Sequence, residues 1–496
     1  MMPGRRKIIG LLVVFLLAGA HARPASAPAP PRQGYVQPFT YDPLTEPFIV
    51  IPVTINGQTL PFILDTGTTW PLLIDSRTAA KLHLHPTGKA SSFSDSHKTA
   101  FQTVLRSMRL FGSTGYNFPF ALITDLHALD GAYAGPRIAG IIGVSLLSKA
   151  VVQLDLPTRR MVLSFRHHPV RPAPGASVLP MQRLSNGLYR IVITPQPGSA
   201  VSVMLDTGAT GTSLPQDLIR RLTASGNVPA TSFSFAGEHN NMMMLLPQVR
   251  IGRFSEPNVV VGAWTSEKAG LGLDLLFRFR VTLDFPHRML ILERPADYSK
   301  RVRVPGWAGL LLEPREGSWV VDLALEVSGA PAAGVHKGDR VLSIDGRSLK
   351  NMPPLVVEHL LDGWAGSRAV LAVEHPDGKK AQVSFTRISQ FAPAVQKFVS
   401  MMQARSVKDD GSFAFNDLGF TLGPGKGSLV VTNVADGSVA GKAGVQKGDK
   451  IVSLNDFPLD KITQMEMASV TNSPEVDMKV LRAGEDKPRE FHVRAK

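Results

Sequence analysis

The chain of 496 residues contains no cysteine, and this absence excludes several kinds of chemistry at once. Without cysteine there can be no disulfide, no zinc site built from thiolates and no thiol nucleophile. In an oxidising compartment such a chain must be stabilised by its hydrophobic cores alone. The apolar fraction of 44% is ordinary for a folded protein, so cores of sufficient size can form.

Other familiar signatures are missing as well. No phosphate-binding loop is present, and no Gly-x-Ser-x-Gly motif accompanies a usable catalytic triad. The net charge is +14, but the chain has no recognition helix, no RNA-binding aromatic motif and no dense basic block beyond its N-terminus, so we expect no nucleic-acid partner. Pairs of histidines such as His83 and His85 supply too few ligands for a metal ion. We therefore expect neither a metal nor a cofactor.

The N-terminal stretch is typical of an export signal. Basic residues at positions 5–7 precede an apolar run that is too short to span a bilayer, because a spanning helix needs about 20 residues. Small-x-small cleavage patterns end at Ala22 and at Ala27, and an uncleaved anchor is the alternative. We expect 1–27 to be the signal peptide with its cleavage region and 28–37 to be a linker. The mature protein is then periplasmic or secreted, with no stable membrane span.

Two Asp-Thr-Gly motifs organise the chain, at Asp65-Thr66-Gly67 and at Asp206-Thr207-Gly208. Each follows a strand-like run and precedes a helix-like segment, which predicts two equivalent loops. A single copy would be an ordinary turn, because Asp and Gly are common turn residues. Two copies indicate a chemistry that needs two carboxylates, in which the pair shares a proton and activates a water molecule.

The surroundings of the two motifs repeat as well. The segment from Gly143 to Leu147 matches the one from Gly272 to Leu276, and Val152 to Pro157 matches Val281 to Pro286. Both pairs have the same separation (272 − 143 = 281 − 152 = 129), which indicates a duplicated domain. A period-two pattern of apolar residues and short turns favour a small β-barrel in each half.

A hydrophobic-hydrophobic-Gly sequence follows the first motif at Ile141-Ile142-Gly143, and the related Gly270-Leu271-Gly272 follows the second. On these motifs the chain resembles the retropepsin-like aspartic proteases, with both halves fused in one polypeptide. The resemblance implies two acid-protease β-barrel lobes in a pseudo-twofold arrangement. They would cover 38–168 and 178–297, with a linker at 169–177.

The resemblance also implies the roles of individual residues. Asp65 and Asp206 are the catalytic candidates: one carboxylate acts as a base on water while the other donates a proton to the peptide carbonyl oxygen. Because both halves are present, a monomer is expected to suffice. Thr68 supplies a hydroxyl that Ala209 lacks, so we expect Asp65 to be the more readily charged member. The candidate supports of the catalytic loops, with the first threonine of each motif bracing the loops through its hydroxyl, are Thr66, Gly67, Thr68, Thr207, Gly208 and Ala209.

Two polar, hairpin-like segments fall where the resemblance places flaps that cover a substrate, Ser91 to Val104 and Thr231 to Leu246. In the second segment, Gly237 to Asn241 are expected at the tip. Met242 to Met244 either line a groove, since methionine adapts to varied partners, or belong to an ordinary strand in the core.

A second repeat begins beyond Tyr298. The six residues from Gly334 to Asp339 match those from Gly444 to Asp449 (444 − 334 = 110), and the Ala-Gly-Val-x-x-Gly-Asp signature resembles PDZ domains. In such domains N–H groups of a Gly-containing loop bind a peptide's C-terminal carboxylate, and the peptide adds a strand to the sheet edge. The resemblance implies PDZ units at 303–390 and 408–496, with a linker helix at 391–407, and assigns carboxylate binding to Gly309, Leu310, Leu418, Gly419 and Phe420.

The predicted fold class is therefore mainly β, with two protease lobes followed by two PDZ domains. The function that fits is an exported aspartic-type endopeptidase that acts on peptides or proteins and recruits substrate or partner C-termini. A non-catalytic envelope scaffold or chaperone that binds peptides is the alternative. The distance between Asp65 and Asp206 discriminates the two, because carboxylates in hydrogen-bond contact across a cleft support the enzyme.

Overall fold

The computed structural model has a mainly β architecture, as the sequence predicts. No helix in the described ranges is both long and apolar enough to cross a membrane. The predicted signal peptide lies outside these ranges, as does most of the predicted linker helix, of which 393–396 are helical. The described residues are 34–88, 90–92, 99–110, 120–166, 168–196, 198–222, 227–234, 237–264, 269–315, 317–325, 328–396, 412–415, 418–425, 428–455, 457–458, 470 and 475–494.

The first half is built of short strands with helical turns between them. The first strand begins inside the predicted 28–37 linker and pairs with the last strand of this half. In chain order the elements are β1 (Tyr35–Pro38), β2 (Thr40–Asp42), β3 (Glu46–Ile55), β4 (Gln58–Asp65), β5 (Leu72–Asp75), α1 (Ser76–Lys81), β6 (Ala90–Ser92), β7 (Thr99–Val104), β8 (Met108–Leu110), β9 (Phe120–Thr124), a 3-10 helix (His127–Ala132), β10 (Gly140–Gly143), α2 (Val144–Leu147), β11 (Val151–Asp155) and β12 (Arg160–Ser164).

A tight turn and a parallel strand position Asp65. Asn56 and Gly57 have left-handed φ angles of 49° and 85°, which a two-residue hairpin turn requires, and they send β4 back along β3. β10 runs parallel to β4, with Gly143 beside Asp65, and pairs on its other side with β5. The strand that carries the hydrophobic-hydrophobic-Gly sequence is therefore fully buried directly beneath the first Asp-Thr-Gly loop.

The second half repeats this arrangement, since β16, which ends at Leu205, pairs in parallel with β21. Gly237 to Asn241 pair with β18 as part of strand β19, so the prediction that they form a tip is wrong. The elements are β13 (Ser177–Pro180), β14 (Gln182–Arg183), β15 (Tyr189–Ile193), β16 (Val201–Leu205), β17 (Thr212–Pro215), α3 (Gln216–Ile219), β18 (Asn227–Ser234), β19 (Gly237–Ile251), β20 (Phe254–Trp264), β21 (Gly270–Leu271), α4 (Leu273–Leu276), β22 (Arg280–Asp284) and β23 (Met289–Glu293).

The two halves share one six-stranded antiparallel sheet in the order β1-β12-β11-β22-β23-β13. At its centre β11 pairs with β22, and Val152 lies opposite Leu283. Buried side chains from both halves, among them Leu154 and Val281, form one continuous hydrophobic core. The halves therefore depend on each other for both backbone pairing and apolar burial.

Residues beyond the second half form a third unit with a hydrophobic core of its own. After a 3-10 helix (Tyr298–Arg301), its elements are β24 (Gly306–Trp307), β25 (Leu310–Arg315), β26 (Ser318–Ala324), a 3-10 helix (Pro331–Ala333), β27 (Arg340–Ile344), β28 (Arg347–Ser348), α5 (Pro354–Asp362), β29 (Arg368–Glu374), β30 (Lys380–Thr386) and β31 (Ile388–Ser389).

A fourth unit at the C-terminal end repeats the turn chemistry of the third. In both units the aspartate of the Gly-Val-x-x-Gly-Asp sequence, Asp339 or Asp449, accepts a hydrogen bond from the N–H three residues earlier, at 2.8 and 2.9 Å. The elements of the fourth unit are β32 (Phe413–Phe415), β33 (Phe420–Gly425), β34 (Ser428–Val434), α6 (Val439–Ala443), β35 (Lys450–Leu454), β36 (Phe457–Pro458), β37 (Glu475–Leu481) and β38 (Arg489–Arg494).

The two C-terminal units differ at the sheet edge where the resemblance places peptide binding. In the third unit β24 pairs with β31, and β25 is the terminal strand of its sheet. In the fourth unit β32 folds back on β33, so that Phe413 lies opposite Leu422. The outer edge of β33 is thus already paired over its first three residues.

A turn of the first half attaches the third unit. Asp42 accepts hydrogen bonds from the N–H groups of Leu44 and Thr45, both at 3.0 Å, which fixes the turn between β2 and β3. Leu44 packs against the hydrophobic core of the third unit. Arg347 donates to the Thr45 hydroxyl at 2.8 Å and pairs with Asp42 at 3.3 Å. The third unit is therefore docked on the first half through apolar and charged contacts together.

Within the third unit, Arg387 fixes the C-terminal end of α5. Its side chain is 2% exposed, and its guanidinium donates to the carbonyl groups of Leu360 and Leu361, where the helix leaves carbonyls without intrahelical partners. The same group donates to the carbonyl of Arg368 and pairs with Asp345 at 2.6 Å. Arg387 therefore joins the end of α5 to the sheet.

We expect Arg387→Met to destabilise α5 by roughly 3 kcal/mol, because the substitution leaves buried carbonyl groups and one carboxylate without their donor. Hydrogen exchange measured on α5 peptides by mass spectrometry would detect the loss. Arg315→Met is the matched control, since the pairs of Arg315 with Glu313 and Asp322 lie at the surface, and it should leave exchange on α5 unchanged. Equal effects of the two variants would contradict the role of Arg387.

Candidate active site

Asp65 and Asp206 lie against each other where the two Asp-Thr-Gly loops meet, and their carboxyl groups share a hydrogen bond. Each carboxyl also lies over the glycine of the opposite motif. A Cβ atom on Gly67 would be 2.5 Å from the Asp206 carboxyl carbon, and one on Gly208 would be 2.4 Å from that of Asp65. Only glycine leaves room for this approach.

The two loops hold each other through reciprocal threonine hydrogen bonds. The Thr66 hydroxyl donates to the Leu205 carbonyl at 2.8 Å and accepts from the Thr207 N–H at 3.0 Å. The Thr207 hydroxyl donates to the Leu64 carbonyl at 2.8 Å and accepts from the Thr66 N–H at 3.1 Å. Both threonines are fully buried. These bonds are the bracing that the resemblance implied for the two residues.

Each carboxyl also accepts hydrogen bonds from its own loop, and here the halves differ. Asp65 accepts from the Gly67 N–H and from the Thr68 hydroxyl, both at 2.7 Å. Asp206 accepts from two backbone groups, the Ala209 N–H at 3.1 Å and the N–H of the preceding residue at 2.9 Å. Only Asp65 is therefore bonded to a hydroxyl of its loop.

These contacts make the two carboxyls unequal as acids. Both open to a cavity on one side and are otherwise enclosed by protein, and this burial raises the pKa of each above its usual range. The charge of Asp65 raises the pKa of Asp206 further, whereas the Thr68 hydroxyl and the Gly67 N–H oppose the rise at Asp65. The pair therefore favours one proton, held by Asp206, and one negative charge, held by Asp65.

The loops of the two motifs are supported differently. An apolar strand, β10, supports the first loop, whereas hydroxyl groups contribute to the support of the second. The Gly272 N–H donates to the Thr212 hydroxyl at 3.2 Å, and that hydroxyl donates to Asp274 at 2.7 Å. The Gly270 N–H donates to the Ser213 hydroxyl at 3.0 Å. These bonds hold β21 in place although its first residue is glycine where the first half has isoleucine.

The dyad opens into a cavity of about 560 Å³ that lies to one side of it. The loop from Ala209 to Ser213 lines this cavity, whereas only Thr68 does so from the corresponding stretch of the first half. Three parts of the chain supply the remaining walls. They include Phe48 and Leu129 from the first half, Met204 and Met243 from the second, and Leu355, Glu358, His359 and Asp362 from α5.

Sequence reasoning missed the contribution of α5. One face of α5 lines the cavity that holds the dyad, whereas the sequence analysis assigned no residue beyond Tyr298 to this site. The i, i+3, i+4, i+7 spacing of that face is visible in the sequence. Nothing in the spacing indicates that its neighbour is a cleft formed some 150 residues earlier in the chain.

Two ionisable groups on α5 have strongly altered acidities. Burial raises the pKa of Asp362 to about 7 and lowers the pKa of His359 to about 4. Asp362 accepts hydrogen bonds from the Ala308 N–H at 3.0 Å and from the Gln390 side chain at 3.3 Å. At neutral pH His359 is therefore uncharged, and Asp362 is close to its titration midpoint.

The same contact affects the first predicted carboxylate-binding loop, from Ala308 to Leu310. Because the Ala308 N–H donates to Asp362, a carboxylate of the protein itself already occupies this part of the loop. The Gly309 carbonyl accepts from the Leu325 N–H, and Leu310 begins β25. Binding of a peptide carboxylate here would require Asp362 to give up this bond.

The second predicted carboxylate-binding loop is bonded internally as well. The N–H groups of Leu418 and Gly419 donate to the Phe415 carbonyl, at 3.2 and 2.8 Å. Phe420 follows as the first residue of β33 and pairs with Phe415. A bound carboxylate would have to replace the Phe415 carbonyl as the acceptor of these two donors.

We expect Thr207→Val to lower stability by about 2 to 4 kcal/mol, because the isosteric side chain leaves the Thr66 N–H and the Leu64 carbonyl buried without partners. Thr207→Ser keeps the hydroxyl and is the control, with a loss of no more than about 1.5 kcal/mol for the missing methyl group. Chemical denaturation compares the two variants. A valine variant as stable as the serine variant would show that the reciprocal bonds contribute little.

Comparison with protein families agrees with the geometry in two regions. Residues 51–146 match the aspartyl protease family, and this match contains Asp65 and the buried strand β10. Residues 409–481 match the PDZ domain family, and this match contains the loop from Gly444 to Asp449. A search of the curated proteins found no match to this chain. The chain therefore carries an aspartyl protease domain in its first half and a PDZ domain near its C-terminal end.

Proposed function

We propose that this protein is an exported aspartic-type endopeptidase whose catalytic residues are Asp65 and Asp206. The observation that carries the proposal is the contact between the two carboxyls, together with their unequal affinities for a proton. Enclosed like-charged groups destabilise a fold and are characteristic of catalytic sites. A peptide-binding scaffold or chaperone has no need of such a pair, so the contact supports the enzyme over this alternative.

The proposed reaction uses the asymmetry of the dyad. A water molecule between the carboxyls gives a proton to ionised Asp65 while its oxygen attacks the peptide carbonyl carbon, and Asp206 donates its proton to the carbonyl oxygen. The resulting diol collapses when Asp65 passes its proton to the leaving nitrogen and Asp206 recovers one from a hydroxyl of the diol. The C–N bond breaks, and both carboxyls return to their starting states.

We also propose that the two halves are the lobes of a fused, two-lobe protease and that 303–390 is a second PDZ domain. The two-lobe form is supported by the shared six-stranded sheet and by the strands β10 and β21, each of which runs parallel to the strand that leads into an Asp-Thr-Gly loop. The second PDZ domain is supported by the aspartate-capped turn that the third and fourth units have in common. Since one chain supplies both carboxyls, a monomer suffices for catalysis.

The location and the recruitment of substrate belong to the same proposal. The basic and apolar N-terminal stretch supports export to the periplasm or beyond, with cleavage after Ala22 or Ala27 or retention as an anchor. The loop from Leu418 to Phe420 supports capture of free C-termini by the last unit, once the ligand displaces β32 from the edge of β33 and its carboxylate replaces the Phe415 carbonyl. Substrates are then proteins or long peptides held by their C-termini while the dyad acts elsewhere.

Asp65→Asn and Asp206→Asn should each abolish hydrolysis of a peptide library, and the double variant should be no worse than either single variant, because the pair acts as one unit. Product analysis by mass spectrometry, with and without a statine-containing inhibitor, measures the effect. Circular dichroism checks that the fold is retained. Hydrolysis at the wild-type rate by Asp206→Asn would rule out the proposed mechanism.

Thr68→Ala should move the acidic limb of the pH–rate profile upward. The Thr68 hydroxyl stabilises the ionised form of Asp65, so its loss raises the pKa of the group that must be charged for catalysis. Thr68→Ser retains the hydroxyl and should leave the limb in place. If Thr68→Ala is active and the acidic limb of its pH–rate profile is unchanged, the result would count against Asp65 as the base.

Amidation of the C-terminus of a long polypeptide substrate should raise its KM by at least about tenfold with little change in kcat, because tethering raises the local substrate concentration. The full-length protein is assayed with matched free-acid and amide substrates. A short peptide that cannot reach both sites serves as the control and should show no difference. Equal KM values for the two long substrates would mean that carboxylate recognition plays no part in recruitment.

A further inference from the structure

We propose that Asp362 is an internal ligand of the carboxylate-binding loop in the third unit, and that a free peptide C-terminus replaces it there with the uptake of a proton. The inference rests on the proposal that 303–390 is a PDZ domain and extends it. It does not depend on catalysis by Asp65 and Asp206. Its consequence is that the third unit captures C-termini more tightly in acid than in base.

The loop from Ala308 to Leu310 already holds a carboxylate of the protein itself. The Ala308 N–H donates to one carboxyl oxygen of Asp362 at 3.0 Å, and the Gln390 side-chain amide donates to the other at 3.3 Å. Ala308 is fully buried, whereas Asp362 is partly exposed and lines the cavity. An external carboxylate therefore reaches the Ala308 N–H only by taking the place of Asp362.

The fourth unit has the same donor with a different acceptor. At the separation of the repeat (418 − 308 = 110), the Leu418 N–H donates to the Phe415 carbonyl at 3.2 Å. The next residues, Gly309 and Gly419, have left-handed φ angles of 65° and 75°, and a Cβ atom on them would lie 2.2 and 2.4 Å from a serine Cβ. The two loops thus share a backbone shape, but the acceptor in the third unit is a group that can take up a proton.

The sheet edge next to the loop is accessible to a peptide strand. β25 is the terminal strand of its sheet in the described ranges, and Leu311 on this strand is 52% exposed. In the fourth unit β32 pairs with the corresponding edge. A peptide can therefore add to β25 without displacing another strand, and its terminal carboxylate then comes to the loop where Asp362 is bound.

The exchange takes up a proton because two carboxylates then compete at one donor. Burial raises the pKa of Asp362 to about 7, and the Ala308 N–H opposes this rise. A bound C-terminus removes that hydrogen bond from Asp362 and adds a negative charge near it, and both changes raise the pKa further. Above about pH 7 binding therefore takes up a proton, whereas below this pH Asp362 is already protonated in the free protein.

The charges around Asp362 have both signs. Glu358 raises the pKa of Asp362 and Arg387 lowers it, but burial outweighs both. Arg303 also lines the cavity, where its Nε donates to the Lys300 carbonyl at 2.7 Å and its guanidinium lies 5.4 Å from the centre of a Trp364 ring. In the described ranges, the other ionisable groups of the cavity and of the 3-10 helix packed against α5 are Tyr41, Asp65, His127, Asp130, Asp206, Asp274, Arg278, Arg301 and His359.

The test measures binding to the full-length protein of N-acetylated pentapeptides that end in alanine, valine, leucine or phenylalanine, each as a free acid and as an amide. The Kd of the free acids should rise by roughly 5- to 25-fold between about pH 6.5 and pH 8.5. Calorimetry at the higher pH in phosphate and in Tris, which differ in ionisation enthalpy, should show the uptake of about one proton. Mass spectrometry checks that the peptides stay intact.

Asp362→Asn separates the proton from the shape of the side chain, because asparagine resembles protonated aspartic acid and does not ionise. The Kd of this variant should not depend on pH in this range and should stay close to the wild-type value at the acidic end. Asp377→Asn is the matched control, since it removes a carboxylate of the same unit that pairs with Lys379 at the surface. It should keep the pH dependence of the wild type.

Two glycine variants assign the proton-linked binding to one loop. Gly309→Ala and Gly419→Ala introduce the same steric conflict in the third and the fourth unit. Gly309→Ala should abolish the pH-dependent binding, and Gly419→Ala should leave it in place. Circular dichroism checks that each variant is folded, and the comparison of Asp362→Asn with Asp377→Asn decides the question even if Gly309→Ala fails to fold.

The outcomes separate this inference from the proposed function. Free acids that bind with the same Kd at all pH values, or equal pH dependence in Asp362→Asn and the wild type, would overturn the role of Asp362 and leave C-terminal capture intact. Loss of all binding in Gly419→Ala would do the same, because the fourth unit would then be the sole site. Free acids that bind no better than amides would overturn C-terminal capture and this inference with it, whereas hydrolysis of the peptide library tests the peptidase separately.

Discussion

Four hydrogen bonds between two buried threonines and the strand ends of the opposite half set the distance between Asp65 and Asp206. Since each hydroxyl both donates and accepts, neither loop can shift without leaving buried polar groups unpaired. The other properties of the site follow from this constraint. The close approach leaves no room for a Cβ atom at Gly67 or Gly208, and it forces the two carboxyls to share one proton.

The backbone of the dyad is symmetric, but its chemistry is not. Two loops of the same form each follow a strand that pairs in parallel with a second strand, β4 with β10 and β16 with β21. Small differences then separate the halves: a hydroxyl at Thr68 but none at Ala209, and hydroxyl support under the second loop from Thr212 and Ser213. The cavity is asymmetric as well, because α5 lines it on one side of the dyad. These differences between the halves suit a dyad in which one carboxyl holds the proton, and they suit a peptide substrate, which has two different ends.

Much of this arrangement could be predicted because the relevant signals are local or repeated. The turn at Asn56-Gly57, the paired motifs around Asp65 and Asp206, and the two Gly-Val-x-x-Gly-Asp loops are all short sequence patterns with a fixed geometry. The position of α5 could not be predicted, because it depends on how folded units dock. Docking is decided by single contacts, such as the packing of Leu44 against the core of the third unit and the ion pair between Arg347 and Asp42. Such contacts leave no periodic pattern in the sequence. The flap tip was misplaced because a strand boundary within a polar segment has no strong turn signal.

The shared sheet also has a consequence for how the protein is made. β11 pairs with β22, and Gln153 and Thr282 are 129 residues apart. At roughly 5 to 20 residues per second, about 6 to 26 seconds pass on the ribosome before the partner strand exists. During that time the edge of β11 has unpaired N–H and C=O groups that can bond to other strands. The order of synthesis therefore defines an interval in which the nascent chain is most prone to misassembly.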